Sequence, residues 1–313
     1  MAVAESTTRQ ARSSWRLTQA RRESIAFYLF LTPWIAGFLV LTAGPIIATL
    51  VLSFTSYNIV APPQFIGLTN YDTLVHTRLF WQALKVTLIY TLGSVPLTVI
   101  GALLVATLLN QRLPGLSVWR TIYYLPVVTS GVAVALLWSW VFLPDYGLVN
   151  SLLWTILHIH GPQWFFSEKW VLPAFIIMSV WGVGGPMLIY LAGMQGIPTQ
   201  LYEAAELDGA NALQRYWHIT LPMVTPVIFF NLITSMIGTF QIFVGAYVIT
   251  QGGPNYASYF YVLYLYQEAF QYFHMGYATA LAWVLFLVIL AMTGLAFWSS
   301  RHWVYYEGIR ARP

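Results

Sequence analysis

The chain has 313 residues, of which 58% are hydrophobic and only 8% are charged. Soluble domains carry roughly 25% charged residues, so this composition excludes an ordinary soluble domain and indicates an integral membrane protein. The formal net charge of +4 comes from arginines concentrated near the termini, a distribution that suits a membrane surface better than a nucleic acid. Because the chain has no cysteine, disulfides, thiolate metal sites and a cysteine nucleophile are excluded.

The first 23 residues form a basic, polar segment. Its arginines are Arg9, Arg12, Arg16, Arg21 and Arg22. This composition predicts a tail that is disordered or lies along the lipid headgroups. A cleaved signal peptide is a weaker alternative, because the apolar run that follows is far longer than the roughly 7 to 15 residues of a signal sequence. We therefore expect residues 1–23 to form a cytoplasmic tail.

Six segments are apolar and long enough to cross the hydrocarbon core, which takes about 20 residues. They are residues 25–54, 83–109, 122–143, 170–194, 221–249 and 277–299. Pro33, Pro96 and Pro186 lie inside them and predict kinks, which neighbouring helices or water can accommodate. The sequence thus predicts an all-α membrane protein, with a transmembrane region over residues 24–300 and a short cytoplasmic tail over residues 301–313.

The distribution of Lys and Arg predicts the orientation. With the N-terminus inside, only Arg78, Lys85 and Lys169 fall on the outer side. The inner side receives the five arginines of the tail together with Arg112, Arg120, Arg215, Arg301, Arg310 and Arg312. This asymmetry follows the positive-inside rule, so we expect both termini to be cytoplasmic.

A short apolar stretch lies between the third and fourth predicted spans, from Leu148 to His160. It is too short to span the membrane and predicts an interfacial helix. His158 and His160 stand at positions i and i+2, which do not share a helix face, and no carboxylate motif accompanies them. We therefore predict no metal site.

The second half of the chain has one long polar interruption, over residues 198–220. Thr199 is a candidate helix cap, and Glu203 and Glu206 lie near the start of the predicted helix, where the dipole favours negative charge. Asp208 and Gly209 predict a turn, since glycine accepts a left-handed backbone without steric cost.

A second short helix is predicted after this turn. Its apolar residues recur at positions i, i+3 and i+4 and form a stripe that requires a partner surface. The stripe contains Ala212, Leu213, Tyr216 and Trp217. Pro222 then opens the next span, because proline is tolerated in the first turn of a helix.

The pattern from Glu203 to Pro222 resembles the loop shared by the membrane subunits of bacterial ABC importers. It consists of Glu-Ala-Ala, two residues, Asp-Gly-Ala, five residues, an aromatic, two residues and Ile-x-Leu-Pro. In that family the loop forms coupling helices that dock into a cleft of the ATP-binding subunit. The resemblance implies this role for Glu203, Ala204, Ala205, Asp208, Gly209, Ala210, Tyr216, Ile219 and Pro222. An acidic cytoplasmic loop with an ordinary Asp-Gly turn is the alternative.

Three further stretches resemble the carbohydrate-importing branch of the family. They are residues 65–71, 250–254 and 275–280, and the whole resemblance extends from about residue 28 to 303. It points to the larger permease subunit of maltose-type importers in a shorter six-span form, without the extra N-terminal spans and the large outer domain. The implied fold is that of a type I importer permease.

The energy source is expected on another polypeptide. A phosphate-binding loop requires a glycine-rich turn followed by Gly-Lys-Ser/Thr, and neither Lys85 nor Lys169 stands in one. The spans also lack the acidic or histidine chain of a proton-coupled carrier. The resemblance implies that ATP and magnesium bind to a separate dimer of ATP-binding subunits, and that a second permease and an outer solute-binding protein complete the assembly. We predict no enzyme activity, no cofactor and no nucleic-acid partner for this chain.

Small and polar residues in the fourth and fifth spans are candidates for the substrate path. They are Trp181, Gly182, Gly184, Asn231, Ser235, Gly238, Thr239 and Gln241. Ser235, Gly238 and Thr239 share a helix face and predict hydrogen bonds to sugar hydroxyls. Helix packing is the alternative, because small and hydroxyl residues are common at contacts between membrane helices. In the resembling family the two spans flank the sugar cavity.

The resulting hypothesis is a permease subunit that translocates a sugar or oligosaccharide delivered by an outer binding protein. A non-sugar solute such as glycerol phosphate is one alternative. A self-sufficient carrier or channel is another, and it leaves the polar loop without a role. A membrane-embedded enzyme would require an acid/base or metal constellation that the spans do not contain.

Overall fold

The computed structural model describes residues 19–111 and 114–305. Arg112 and most of the two predicted tails lie outside this described part. The chain divides into two compact units, Met1–Val51 and Leu52–Pro313.

The described part of the first unit is one long interrupted helix. Helix α1 (Gln19–Phe38) continues through a π-helical turn (Leu39–Ala43) into α2 (Gly44–Leu52). Pro33 is accommodated inside α1, whereas the turn widens immediately before Pro45, which has no N–H to donate. Because large apolar side chains along the helix are exposed, this segment has the character expected of a surface in contact with lipid or another helix.

The second unit is built around α4 (Arg78–Leu109). Its 32 residues give it a length of ~48 Å at 1.5 Å per residue. Ala83, Ala102 and Ala106 are fully buried on it. Small side chains allow neighbouring helices to approach closely, and α4 packs most extensively against four other helices of the unit. These are α8 (Val171–Val180), α9 (Gly184–Gln195), α12 (Leu221–Phe240) and α13 (Tyr261–Tyr266).

The third and fourth predicted spans are bent rather than continuous. Helices α5 (Leu116–Val128) and α6 (Gly131–Val141) meet at 101°, and α8 and α9 meet at 41°. Thr129 and Ser130 adopt extended backbone angles at the sharper bend. The predicted span over residues 122–143 therefore corresponds to two helices joined at a sharp bend. Within the described residues, four helices are long and apolar enough to cross a membrane, and six spans result if each bent pair counts as one.

The fifth predicted span ends earlier than the apolar run suggests. Continuous helical structure extends from α11 (Ala212–Arg215) through a π-helical turn (Tyr216–Thr220) to the end of α12 at Phe240. The chain then leaves the helix, and a π-helical turn (Ala246–Thr250) follows. Helix α12 therefore ends before Ile249, where the apolar run placed the end of the span. The last span, α14 (Met275–Ser300), closely matches the prediction.

The connections contain short elements. Two strands, β1 (Thr55–Ser56) and β2 (Gln64–Phe65), pair antiparallel and precede α3 (Thr69–His76). The stretch between α6 and α8 holds α7 (Leu148–Leu157), where a helix was predicted, and a 3-10 turn (Trp164–Phe166). The polar loop contributes α10 (Thr199–Leu207).

The connections of the second unit gather at two opposite ends of α4. We call the end of α4 that begins at Arg78 the hairpin end, because the β1–β2 hairpin lies there. At this end the Gly276 N–H donates to the Tyr57 carbonyl over 3.0 Å. At the other end, the Tyr216 hydroxyl lies 3.5 Å from Thr107 Oγ1, and the Tyr305 N–H donates to Thr225 Oγ1 over 2.8 Å. The polar loop over residues 198–220 therefore lies at the opposite end of α4 from the β1–β2 hairpin.

An aromatic cluster forms the centre of the core near the hairpin end. The ring of Phe260 is fully buried and makes edge contacts with Tyr90 at 5.2 Å and with Phe175 at 5.3 Å between centroids. Phe165 extends the cluster at 5.2 Å from Phe175. The cluster joins α4 and α8 to the stretch before α13, and it thereby positions that stretch.

We expect Phe260→Ala to destabilise the protein by about 3 kcal/mol or more, because it removes a fully buried ring and leaves a cavity. The change is measured as the thermal stability of the detergent-purified protein. Phe286→Ala, at a half-exposed position on α14, is the matched control and should leave the stability nearly unchanged. Equal effects of the two substitutions would contradict this account of the core.

Candidate functional site

The polar loop folds into two short helices joined by a tight turn. We call residues 198–222 the coupling segment. Helix α10 begins at Thr199, but the cap position belongs to Pro198 and no side chain caps the helix. The prediction of a Thr199 cap is therefore wrong. Gly209 has φ of 79°, the left-handed conformation that its position in the Asp-Gly pair predicts.

The turn after α10 is a Schellman motif. The Ala210 N–H donates to the Ala205 carbonyl over 2.9 Å, and the Gly209 N–H donates to the Glu206 carbonyl over 3.0 Å. These two bonds satisfy carbonyls that would otherwise be unpaired at the end of the helix. Gly209 is thus the residue that allows α10 to stop and the chain to reverse.

Helix α11 begins with a capping box that we did not predict. The Gln214 N–H donates to Asn211 Oδ1 over 2.9 Å, and the Asn211 N–H donates to Gln214 Oε1 over 2.8 Å. Asn followed three residues later by Gln is a sequence signature of this motif, so the pattern of residues alone contains the signal.

Three side-chain contacts fix the coupling segment. The Tyr202 and Thr220 hydroxyls lie 2.9 Å apart and join α10 to the π-helical turn. Arg215 pairs with Glu206 at 3.3 Å, a partly exposed ion pair whose contribution to stability is at most about 1 kcal/mol. Together with the contact between Tyr216 and Thr107, these interactions make α10 and α11 a rigid helical hairpin attached to α4 and α12, at the opposite end of α4 from the β1–β2 hairpin.

The outer surface of this hairpin is unusually apolar. Leu207, Leu213 and Trp217 are 90%, 66% and 56% exposed. Tyr216, which the sequence places on the same stripe, instead turns inward and is half-buried. Large exposed apolar side chains mark a contact surface, so a partner surface stays a prediction for Leu213 and Trp217 of the stripe. Leu207 lies outside that stripe, at the end of α10.

A shallow cavity of about 310 Å³ lies between the two helices of the hairpin. Asp208, Gly209 and Arg215 are among its lining residues. Glu203 is exposed on α10, and Ile219 borders the cavity from the π-helical turn. The structure thus brings most of the predicted coupling residues to one face of the hairpin or to its turn, whereas Pro222 lies in the first turn of α12.

The candidate residues of the substrate path fall into three groups. Gly184 and Asn231 are buried within the chain. A Cβ at Gly184 would lie 2.0 Å from the Tyr123 carbonyl oxygen, so this glycine permits a close helix contact. Asn231 is 1% exposed, and its Nδ2 donates to the Val227 carbonyl of its own helix. Both environments favour the packing interpretation for these two residues.

The second group lies on accessible surface. A Cβ at Gly238 would have no other heavy atom within 4 Å, and Ser235 and Thr239 flank this notch as half-buried side chains. Thr239 Oγ1 already donates to the Met236 carbonyl over 2.9 Å, so it offers only acceptor capacity to a ligand. Gln241 is exposed at the end of α12.

The last two candidates, Trp181 and Gly182, lie at the bend between α8 and α9. Trp181 is 46% exposed and makes an edge contact with Trp138 at 5.8 Å. Gly182 is exposed beside it. The bend therefore presents an indole face together with open backbone, an arrangement that suits either a ligand or another helix.

The two histidines near α7 both approach the indole ring of Trp154. His160 stacks on Trp154 at 4.5 Å between centroids, and His158 approaches the same ring at 5.9 Å. Their neighbours are therefore aromatic rather than carboxylate.

A larger cavity, of about 670 Å³, lies at the hairpin end. Sequence reasoning missed it, because its walls come from segments near residues 60, 70 and 270 that are distant along the chain. Only the mixture of Asn, Thr and Tyr in these connections hints at a polar surface.

Comparison with known proteins gives a consistent result. A family model described as "Binding-protein-dependent transport system inner membrane component" matches residues 78–304. The probable ABC transporter permease protein YesP of Bacillus subtilis (strain 168) is 43% identical over 291 residues, which cover 92% of this chain and 94% of that protein. The lactose transport system permease protein LacF of Rhizobium radiobacter is 36% identical over 281 residues, which cover 88% of this chain and 93% of that protein. The arabinooligosaccharides transport system permease protein AraP of Bacillus subtilis (strain 168) is 33% identical over 285 residues, covering 90% of each.

Solved structures are also similar. A bacterial ABC transporter involved in the import of the acidic polysaccharide alginate matches with a TM-score of 0.77 and 26% identity, covering 90% of this chain and 96% of that chain. A bacterial alginate ABC transporter in complex with an alginate pentasaccharide-bound periplasmic protein matches with a TM-score of 0.79 and 25% identity. The match covers 92% of this chain and 98% of that chain.

We expect Gly209→Val to abolish the function of the coupling segment, because a β-branched residue at φ of 79° is strained by roughly 1 to 2 kcal/mol or more and the turn would open. Gly209→Asn is the matched control, since asparagine tolerates this conformation. The measurement is co-purification of the chain with an ATP-binding subunit. Retention of the ATP-binding subunit by both variants would refute the role of the turn.

Proposed function

Since the chain belongs to the family of binding-protein-dependent transport system inner membrane components, we propose that it is the permease subunit of an ATP-driven importer for a sugar or oligosaccharide. The predicted fold class, an all-α importer permease, is confirmed by the structural relatives and the family match. The rigid hairpin of the coupling segment, with its exposed apolar surface, is the observation that carries the proposal. The substrate class draws support from relatives named for lactose and arabinooligosaccharides.

Energy enters through the coupling segment in this proposal. Leu207, Leu213 and Trp217 dock on a separate ATP-binding subunit, which holds the ATP and magnesium. Because Tyr202 contacts Thr220 and Tyr216 contacts Thr107, a displacement of the hairpin is transmitted to α12 and α4 rather than absorbed locally. Rigid-body motion of packed helices then switches the permease between inward-open and outward-open states.

The substrate passes along the accessible part of α12 and the bend between α8 and α9. The open notch at Gly238 gives room for a ring, and the Ser235 and Thr239 hydroxyls supply hydrogen bonds to sugar hydroxyls. A phosphorylated solute such as glycerol phosphate would call for a cationic partner for its phosphate, and this face of α12 carries none. A sugar therefore suits the path better.

The assembly includes a second permease, a dimer of ATP-binding subunits and an outer solute-binding protein. We place the coupling segment and both termini on the cytoplasmic side of the inner membrane. In the described part of the second unit, three basic residues lie at each end of α4: Arg120, Arg215 and Arg301 near the coupling segment, and Arg78, Lys85 and Lys169 towards the hairpin end. The positive-inside excess thus rests on the terminal arginines and Arg112.

The proposal is tested by reconstituting the chain in liposomes with the ATP-binding, permease and solute-binding proteins that co-purify with it. We expect saccharide uptake that requires both ATP and the solute-binding protein. Uptake by the chain alone would instead identify a self-sufficient carrier. ATP-dependent uptake of a non-saccharide solute only would retain the importer and overturn the substrate class.

We expect Gly238→Leu to abolish uptake while the complex remains assembled, because a branched side chain would fill the notch on α12. Gly294→Leu is the matched control, since Gly294 lies on α14 and also has open space at its Cβ position. Uptake and the yield of the complex are measured side by side. Loss of the complex in the Gly238 variant alone would assign this face to helix packing.

Removing the hydroxyls of Ser235 and Thr239 by substitution with Ala and Val should weaken saccharide capture by about 0.5 to 1.5 kcal/mol each, the net contribution of an ordinary hydrogen bond. The concentration dependence of uptake measures the effect. Unchanged concentration dependence in the double variant would remove both hydroxyls from the path.

A further inference from the structure

The cavity of about 670 Å³ lies on the other side of the protein from the coupling segment. One wall comes from the connection after α2 and from α3, including Asn58, Asn70 and Thr73, and the other from the segment before α14. Helix α4 separates this hairpin end from the coupling segment by ~48 Å, more than the roughly 30 Å of a hydrocarbon core. If the coupling segment is cytoplasmic, the cavity therefore opens on the outer side.

The two walls are fixed to each other and to the helices. Asn70 is 8% exposed and its Nδ2 donates to the carbonyls of Ser53 and Thr55, over 2.8 and 2.9 Å. A Cβ at Gly276 would lie 2.0 Å from the Thr55 carbonyl oxygen, so the start of α14 contacts the backbone of strand β1 directly. The Tyr261 N–H also donates to Thr87 Oγ1 in the core over 2.9 Å. The cavity is therefore a preformed feature of the fold.

Polar groups of the second wall are held in defined positions. The Glu268 side chain is only 14% exposed, and the His274 ring contacts it with 2.9 Å between Nδ1 and Oε2. The His274 N–H donates to the Glu268 carbonyl over 2.8 Å. The Tyr264 and Tyr277 hydroxyls lie 2.8 Å apart. Burial raises the pKa of Tyr264 above its usual range, so its hydroxyl stays protonated.

This combination of groups suits a saccharide. Carboxylate, amide and hydroxyl groups can accept from and donate to several sugar hydroxyls at once, and the half-buried ring of Tyr57 can contact the C–H surface of a sugar ring. The volume falls within the roughly 300 to 1,000 Å³ typical of small-molecule sites. A site of this size has room for one or two glycosyl units.

The charges of the cavity select among saccharides. Its lining residues, all within the described part of the chain, include no Lys or Arg, and Glu268 is the one carboxylate. An acidic sugar would lack the Arg or Lys partner that carboxylates require and would meet the Glu268 carboxylate. The His274 ring is already engaged by Glu268. A neutral sugar avoids this repulsion, and its hydroxyls can donate strong, charge-assisted hydrogen bonds to the carboxylate.

We propose that this cavity is a saccharide-binding site on the outer side of the permease, separate from the path along α12, and that it takes neutral glycosyl units and rejects acidic ones. The proposal rests on the proposed function and specifies its substrate class as neutral. A substrate released by the solute-binding protein would contact this site before it reaches the membrane interior.

The absence of cysteine from the sequence makes a protection experiment possible. Thr73→Cys is introduced into the chain in its own cells, and its reaction with a membrane-impermeant thiol reagent is followed on intact cells. The probes are xylotriose, maltotriose and arabinotriose as neutral saccharides and trigalacturonate as the acidic one. Tyr146→Cys, at an 84% exposed position that does not line the cavity, is the control.

We expect Thr73→Cys to react from the outside, and at least one neutral trisaccharide to slow this reaction five-fold or more. Trigalacturonate should have no effect, and Tyr146→Cys should react equally with and without sugars. Failure of Thr73→Cys to react from outside, although Tyr146→Cys reacts, would overturn the position of the site. Protection by trigalacturonate equal to that by the neutral sugars would overturn its selectivity.

A second variant tests the carboxylate. In the Thr73→Cys chain, Glu268→Gln should raise the half-protecting concentration of the neutral sugar by about ten-fold, because it removes a charge-assisted hydrogen bond. Glu168→Gln is the matched control; Glu168 is exposed, lies on the same predicted side and does not line the cavity. Equal half-protecting concentrations in the two variants would contradict the role of Glu268.

Uptake of the same labelled trisaccharides, measured in the same cells, separates the two proposals. If a neutral trisaccharide is imported but does not protect Thr73→Cys, the outer site is refuted and the importer function stands. If no saccharide is imported and none protects, both the outer site and the sugar substrate are refuted. Import of the acidic trisaccharide alone would overturn the neutral specificity.

Discussion

The close packing of α4 is the constraint on which the second unit depends. Its fully buried alanines let four other helices approach, and it remains continuous through Pro96. One end of α4 contacts the coupling segment through Thr107, and Thr87, near the other end, receives the N–H of Tyr261. Because the same helix is in contact with the coupling segment and with the segment that begins α13, the position of one is defined with respect to the other. A change in the tilt of α4 would move both.

The coupling segment was largely predictable because its structure depends on local backbone chemistry. The Asp-Gly pair is sufficient to predict a left-handed turn, and Asn211 with Gln214 forms a capping box within four residues. What the sequence did not predict is the orientation of individual side chains. Tyr216 shares a helical stripe with Trp217, yet it turns towards Thr107, a residue more than one hundred positions away in the chain. Only tertiary packing decides which aromatic ring remains for a partner.

The spans were predictable in number and approximate position but not in shape. An apolar run satisfies the hydropathy criterion whether its helix is straight, bent by 101° at Thr129 and Ser130, or ended at Phe240. Pro126 stands in the last turn of α5, so the bend occurs downstream of the proline rather than at it. Pro96, by contrast, lies in an unbroken helix. Proline therefore indicated where a backbone hydrogen bond is lost, and packing decided whether the chain bends.

The candidate residues of the substrate path show the same limit at the level of single residues. Gly184 and Gly238 are both glycines in apolar runs, and composition gives no means to distinguish them. The structure does, because a Cβ at Gly184 would meet a backbone carbonyl, whereas one at Gly238 would meet open space. A glycine that permits helix contact and a glycine that faces open space thus differ only in which atoms lie opposite. Sequence can propose a path through a membrane protein, but the atoms across from each small residue determine whether that residue belongs to it.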